Sequence, residues 1–247
     1  MCDIIFADLD GTLIFSASRK LPGDIVCEYK DSTEISCITR KQSVMLPELR
    51  IIPVTTRSIE QYRRISIPGF QPEYALTDNG GTLLINGIPD SQWTEHSLAL
   101  AAECSAQLAE CRRIMERDIH RNFEIRLVDG MFLFTKSAEP ERSIAALREA
   151  AGDEIRCYHT GQKLYALPAK LCKGAAAKRL AEQIPGGRII CAGDSIMDVP
   201  LLNIADIAVF PEDMPQEDIT AKQKITAPRG RFPEFVTEYL TRIKDIQ

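Results

Sequence analysis

The chain has 247 residues, 45% apolar and 26% charged, which is enough to bury a sizeable core and too apolar for a disordered polymer. Its formal charge of -5 argues against a nucleic-acid binder working through a basic face, and its eight cysteines include no C-x-x-C pair that would suggest a zinc ribbon or dithiol centre. No apolar stretch approaches the ~20 residues that span a bilayer, and Met1 to Ala7 is too short an apolar run for a signal peptide and lacks a basic leader, so a cytoplasmic protein with reduced thiols and no membrane partner is expected.

In chain order, Ile4 to Leu9 reads as a strand buried on both faces that ends in acidic residues and a glycine. The segment Leu21 to Thr39 holds β-prone pieces around Ile25-Val26-Cys27 and Glu34 to Ile38, which predict a hairpin over the end of the first strand. A second apolar run, Leu49 to Val54, leads into Thr55-Thr56-Arg57. Thr94 to Arg117 places Leu98, Ala101, Leu108, Cys111 and Met115 at helical spacing. Phe123 to Val128 and Met131 to Thr135 then flank Asp129-Gly130, a strong hairpin signal. A helix over Pro140 to Ala151 precedes strand-like pieces at Glu154 to His159 and Lys163 to Leu167. This twice-repeated helix-strand-strand unit predicts an antiparallel sheet with helices on one face. Beyond it come a helix from Lys173 to Gln183, stopped by Pro185-Gly186-Gly187, a third buried strand from Arg188 to Ala192, and a closing amphipathic helix from Pro233 to Ile243.

Three buried strands that each end in polar residues predict a parallel sheet with a site at its carboxyl edge. The fold class is therefore α/β: a Rossmann-like, doubly wound parallel-sheet core over residues 1–84 and 169–247, with a small inserted α+β cap domain over 85–168.

The chemistry gathers at those strand ends. Asp8 and Asp10 leave the first strand just before Gly11 and Thr12, and a turn at Gly11 can splay them so that one attacks phosphorus and the other serves the leaving oxygen. Gly193-Asp194-Ser195-Ile196-Met197-Asp198 follows the third strand. Carboxylates at the ends of neighbouring buried strands repel unless a cation lies between them, and all-oxygen donors suit Mg²⁺. Thr55 offers a hydroxyl at a helix start, and Lys173-Gly174 opens a helix with a cation. Taken singly, Thr55 is an ordinary helix cap and Lys173 an ordinary surface lysine. Their order along the chain, each at a strand end or helix start, is what singles them out.

Asp8-Leu9-Asp10-Gly11-Thr12, Thr55, Lys173 and Gly193-Asp194-Ser195-x-x-Asp198 resemble the four motifs of the haloacid dehalogenase (HAD) superfamily, in order and over nearly the whole chain. The resemblance implies that Asp8 forms an aspartyl-phosphate and that Asp10 protonates the leaving group and then activates water. It implies that Thr55 and Lys173 hold phosphoryl oxygens. Mg²⁺ would be bound by Asp8, Asp194 and the Asp10 carbonyl, with Asp198 orienting the metal site or Lys173. The inserted domain and Thr77-Asp78-Asn79-Gly80-Gly81 look like the type IIB cap arrangement of the Cof-like and sucrose-phosphatase-like branch, and imply that Thr56, Arg57, Asn79 and Gly80 help bind substrate. Two positions depart from the Cof-like pattern: Met197 stands where Asn is usual and Thr56 where Gly is usual. Val54-Thr55-Thr56-Arg57 with Glu60 to Arg64 is also similar to HAD proteins of bacterial tellurium-resistance-associated gene clusters.

A cap over the site favours a small phosphorylated metabolite such as a sugar phosphate, with Arg126, Lys136, Arg156, His159 and Lys163 as candidate contacts. The expected protein is a Mg²⁺-dependent phosphatase, monomeric or homodimeric. The alternatives are a phosphomutase or phosphotransferase acting on a sugar phosphate, and a non-catalytic phosphate- or metal-binding partner protein.

Overall fold

The computed structural model describes residues 2–244. β1 (Ile4–Ala7) is buried along its whole length, as a strand covered on both faces must be. After it come β2 (Phe15–Ser16) and the expected hairpin, β3 (Ile25–Lys30) and β4 (Thr33–Ile38), with β4 paired antiparallel to both β2 and β3. α1 (Arg40–Met45) is fixed at its start by a capping box between Thr39 and Gln42. β5 (Ile51–Pro53), α2 (Ile59–Arg63) and an antiparallel ribbon of β6 (Tyr74–Thr77), β7 (Thr82–Ile85) and β8 (Ile88–Pro89) follow.

The next stretch is a compact unit of its own, Asp90–Cys172. The single helix expected from Thr94 to Arg117 is instead two, α3 (Ser91–Glu103) and α4 (Ser105–Arg117). The chain breaks at Cys104, whose ψ of 15° leaves the helical range and whose N–H turns back to Ala101 and Ala102. Within α3, Leu98, expected in the core, is 39% exposed, while Ala101 is buried. β9 (Arg126–Val128) and β10 (Phe132–Lys136) are joined through Asp129 and Gly130, both at positive φ as a two-residue hairpin turn requires. α5 (Pro140–Ala151), β11 (Ile155–Thr160) and β12 (Lys163–Pro168) complete the repeat. The antiparallel sheet runs β11-β12-β10-β9. Its helix-side core joins Leu108, Cys111 and Met115 of α4 and Ile144 and Leu147 of α5 to Leu133, Cys157, Leu164 and Ala166 of the strands.

The first unit resumes with α6 (Lys173–Ala181), β13 (Ile189–Ala192), α7 (Val199–Leu202), β14 (Ile207–Pro211), β15 (Gln223–Ala227) and α8 (Phe232–Lys244). Together with the described residues up to Pro89 these form one compact unit. Its centre is a parallel sheet in the order β15-β14-β13-β1-β5, with Ile5 in register with both Ile190 and Ile51. Phe232, Val236 and Leu240 of α8 pack into the core beside Ile5, Ala7, Ile190 and Val209. β14 and β15 extend the sheet beyond the strands read from the sequence. No helix among the described residues is long and apolar enough to cross a membrane.

Candidate active site

β1 stays in the sheet through Asp8, whose N–H donates to the Ala192 carbonyl at 2.9 Å. The chain then curls back on itself. Leu13 and Ile14 both donate to the Leu9 carbonyl at 2.9 Å, and Gly11 donates to Ile14 at 2.8 Å. Gly11 has φ 85°, and a Cβ there would lie 2.3 Å from Asp194 Oδ2, so this loop passes Asp194 only because the residue is glycine.

Asp194 itself follows β13, in a turn that Asp198 holds. Asp198 Oδ2 accepts from the N–H groups of Asp194 and Ser195 at 3.1 and 3.0 Å and from Ser195 Oγ at 2.8 Å. Its Oδ1 accepts from Lys173 Nζ at 2.5 Å, and the same ammonium donates to Asp8 Oδ1 at 2.5 Å. Lys173 opens α6 and is 2% exposed, and Asp198 is fully buried. The lysine read from sequence as an ordinary surface residue when taken alone is thus the centre of a buried ion triad.

Carboxylate oxygens of Asp8, Asp194 and Asp198 lie within 4.8 Å of one another. Lys173, with Arg229 3.2 Å from Asp194, sets two cations against three acids. Burial pushes the Asp8 carboxyl well above its usual range, with Lys173 opposing and Asp198, Asp194 and Asp10 adding to the rise. Burial and Asp198 likewise raise Asp194 to about 7, against the pull of Lys173 and Arg229. Burial works against the Lys173 ammonium, but Asp198 and Asp8 outweigh it and hold its pKa above the ordinary lysine value. The cluster therefore has a deficit of positive charge, and its donors are all oxygens. Both features fit a hard divalent cation. Asp198, with one oxygen on Lys173 and the other accepting three hydrogen bonds, is placed to orient Lys173 and the Asp194 turn.

Asp10 turns to a different partner. Arg57 grips its carboxylate in a bidentate pair, Nε to Oδ2 at 2.6 Å and Nη2 to Oδ1 at 2.7 Å. Arg57 Nη1 reaches Glu28 at 2.8 Å, and Glu28 also accepts from Ser36 Oγ at 2.7 Å and Arg64 Nε at 3.1 Å. Glu28 is 1% exposed, on the β3–β4 hairpin. Burial alone would raise its carboxyl, but the bonds from Arg57, Ser36 and Arg64 overcome this and lower it. Arg57, expected to reach for substrate, here pairs with Asp10 and with Glu28 of the hairpin. Glu28→Ala would leave Arg57 with Asp10 alone and Arg64 with only the distant Glu60, and an expected loss of about 3 kcal/mol follows from breaking a buried ion pair on one side. Urea denaturation of the two proteins at pH 7.5 checks this; an unchanged midpoint would refute it.

Thr55 lies at the end of β5 and is 1% exposed. Its N–H donates to Leu76 at 2.8 Å, its carbonyl accepts from Asn79 N at 2.9 Å, and Arg57 N donates to its hydroxyl at 3.2 Å. Asp78, Asn79 and Gly80 all take positive φ, and Asp78 N–H donates to the Arg57 carbonyl at 2.8 Å. The Thr55-Thr56-Arg57 turn and the Asn79-Gly80 turn are therefore stitched side by side, and α6, which carries Lys173, packs against the latter.

Sequence reasoning missed Arg229, which donates to the Asp194 carbonyl at 2.9 Å and to its Oδ2 at 3.2 Å while its Nε pairs with Asp213 at 2.7 Å. It follows β15, whose largely exposed residues give little hydrophobic pattern, so the only signal was its place beyond Ala227 in Pro228-Arg229-Gly230.

In the smaller unit, alternation along the strands puts Arg126, Lys136, Arg156 and Lys163 on the face of the sheet opposite the helices. Arg126 and Lys136 lie 4.8 and 4.9 Å from the centre of the Phe123 ring. His159 shares the helix-side alternation of Ile155 and Cys157, with Nε2 3.2 Å from Glu141 of α5. The structure brings four of the five candidates to one face and leaves His159 on the other.

No family model matches the sequence, and no curated protein matches it. Solved structures do match its fold. A sucrose-phosphatase from Synechocystis sp., in complex with sucrose and phosphate, is 15% identical over 97% of this chain and 98% of its own, with a TM-score of 0.64. The C-terminal domain of a C. albicans trehalose-6-phosphate phosphatase is 14% identical over 100% of this chain and 93% of its own, with a TM-score of 0.64. A haloacid dehalogenase-like hydrolase from Bacteroides thetaiotaomicron is 14% identical over 98% of this chain and 100% of its own, with a TM-score of 0.59.

Proposed function

From a fold shared with haloacid dehalogenase-type phosphatases, we propose that this chain is a Mg²⁺-dependent phosphatase that hydrolyses a small phosphorylated metabolite through a phosphorylated Asp8. The observation that carries the reading is the buried Lys173 ammonium held between Asp8 and Asp198, with Asp194 beside them. A structural ion pair needs two partners. Here four charged groups converge at a sheet's carboxyl edge with an excess of negative charge, which is the setting for a metal ion and a phosphoryl group.

Asp8 would attack phosphorus in line, forming its O–P bond as the ester P–O bond breaks, and Asp10 would give the departing oxygen its proton. Water then attacks the same phosphorus, Asp10 takes its proton, and the Asp8–phosphorus bond breaks to release inorganic phosphate. Lys173, Thr55 and backbone N–H groups of the Thr56 turn would hold the phosphoryl oxygens while charge spreads over them. Asp8 and Asp194 with the Asp10 carbonyl would hold Mg²⁺, which would supply charge neutralisation at those oxygens. Arg57 has its part in this scheme: both oxygens of Asp10 lie in its bidentate grip, so Asp10 must swing out of that pair to meet the leaving oxygen. The names of the structural neighbours support a sugar phosphate as substrate. Eight free cysteines fit the cytoplasm.

The test is phosphate release from a panel of hexose and disaccharide phosphates with 5 mM Mg²⁺ or with EDTA. Turnover of at least one ester that stops with EDTA supports the reading; no turnover on any ester, or turnover indifferent to EDTA, removes it.

A pH dependence follows from the raised carboxyls. A folded-state pKa above the unfolded value means that the folded protein binds more protons, so without metal the Asp194 contribution to stability falls as pH rises from about 4 to about 7. Mg²⁺ competes with those protons. Its effect on the melting temperature is therefore expected to be larger at pH 8 than at pH 5.5, a difference that scanning fluorimetry reads directly. A shift of equal size at both pH values would count against metal binding at Asp194.

A further inference from the structure

A second cleft lies in the larger unit, between the turn at Leu21 to Asp24, the start of α1 and the start of α8. Its volume is about 520 Å³, within the usual ~300–1,000 Å³ range for small-molecule sites. Arg19, Arg40, Lys41 and Arg231 line it against Asp24 and Glu234. In a chain of formal charge -5 this local excess of cations runs against the sign of the whole molecule.

The charges are not all used internally. Lys41 pairs with Glu238 at 2.5 Å and Arg231 with Glu234 at 3.4 Å. The Asp24 carboxylate accepts from the Leu21 N–H at 2.8 Å. Among the described residues, Arg19 and Arg40 have no ion pair, and both are exposed to the cleft's solvent. Phe15, Leu21 and Pro22 supply an apolar side to the same cleft, where Leu21 is 63% exposed.

The walls are preformed. Gln42 is fully buried, and its amide nitrogen donates to the Leu13 carbonyl at 2.8 Å, the Pro233 carbonyl at 3.0 Å and Thr237 Oγ1 at 3.2 Å. Its side-chain oxygen accepts from the Thr39 N–H at 3.0 Å. One side chain thus ties the segment leading to Phe15, the start of α1 and the start of α8 into a single frame. Two guanidinium groups carried on this held backbone are suited to bidentate recognition of a phosphate or carboxylate, the planar fork matching the anion at the cost of ordering two exposed side chains.

We propose that this cleft is a ligand site, separate from the carboxylate cluster, for a small organic phosphate that carries an apolar or planar body. Arg19 and Arg40 grip the anionic end, and Phe15, Leu21 and Pro22 cover the body. Inorganic phosphate has nothing to place against the apolar wall and binds more weakly.

The experiment is isothermal titration of the full chain, in EDTA, with ADP, phenyl phosphate and inorganic phosphate. At least one of the two organic probes is expected to bind with a Kd below about 1 mM, and inorganic phosphate at least about tenfold more weakly than that probe. The double variant Arg19→Gln/Arg40→Gln is expected to weaken the organic probe by at least about tenfold, and Arg19→Lys/Arg40→Lys by an intermediate factor, since charge without the planar fork is kept. Lys173→Met, at the carboxylate cluster, is expected to leave it within about threefold. Melting curves show that each variant is folded. Absence of binding by both organic probes, binding that survives the double Gln variant, or binding lost with Lys173→Met instead overturns the proposal. Inorganic phosphate binding as tightly as the organic probes also overturns it.

Discussion

Asp8→Asn is expected to lower phosphate release by on the order of 10⁴-fold, because the amide has no lone pair basic enough to attack phosphorus and no charge to help hold Mg²⁺. The same substitution is expected to stabilise the metal-free protein. Burial and the neighbouring acids push the Asp8 carboxyl far above its usual range, so its ionised form costs folding free energy at neutral pH. A neutral amide of nearly the same shape removes that cost. The sign is fixed by linkage: the raised pKa makes the wild type lose stability as pH rises above the unfolded value of about 3.8. The variant should therefore melt higher than wild type at pH 8 in EDTA and differ little at pH 4. Steady-state phosphate release and paired melting curves check both halves. Full activity in the variant would remove Asp8 as nucleophile, and a melting temperature lowered at pH 8 would contradict the account of its electrostatics.

The residues that were legible in the sequence are those whose physics is local. β1 is a short apolar run ending in Asp8, and Asp129-Gly130 is a turn that needs two positive φ values, so pattern and structure agree at both. Asp194 and Asp198 could be placed at a strand end because β13 is a similar run. What sequence could not show was partnership across the fold. Lys173 and Asp8 are 165 residues apart, and only the assembled sheet shows that one ammonium bridges Asp8 and Asp198. Arg57 next to Thr55 reads as a substrate contact from its neighbours in sequence, yet the folded hairpin supplies Glu28 and Ser36 and turns it toward Asp10. The helix break at Cys104 is hidden for a related reason. Helical spacing runs across it, and the distinction lies in one ψ value that the apolar pattern does not encode. β15 escaped notice because an edge strand with four of its five residues at least partly exposed carries almost no alternation.

Lys173→Met should have the opposite effect on stability from Asp8→Asn, and the contrast separates the two roles within one site. Methionine can occupy much of the space of a lysine that is 2% exposed, but it removes the ammonium that bonds both Asp8 and Asp198. The metal-free variant is expected to lose about 3–5 kcal/mol of stability at pH 8, the cost of leaving buried carboxylates without their partner. At pH 5.5 the loss should be smaller, because Asp8 and Asp194, already raised by burial, take up protons and relieve the repulsion. Phosphate release should fall by about 10²–10³-fold, the usual range for removing one donor from a transition-state oxyanion site. Combining the two substitutions tests the interpretation more sharply than either alone. If the ammonium acts by balancing Asp8, the double variant should recover part of the stability lost in Lys173→Met, giving a coupling of the kind expected for groups in direct contact. Urea denaturation at both pH values measures all four proteins. Equal losses at pH 5.5 and pH 8, or strictly additive effects, would show that Lys173 contributes by packing and that the charge balance of the cluster is set elsewhere.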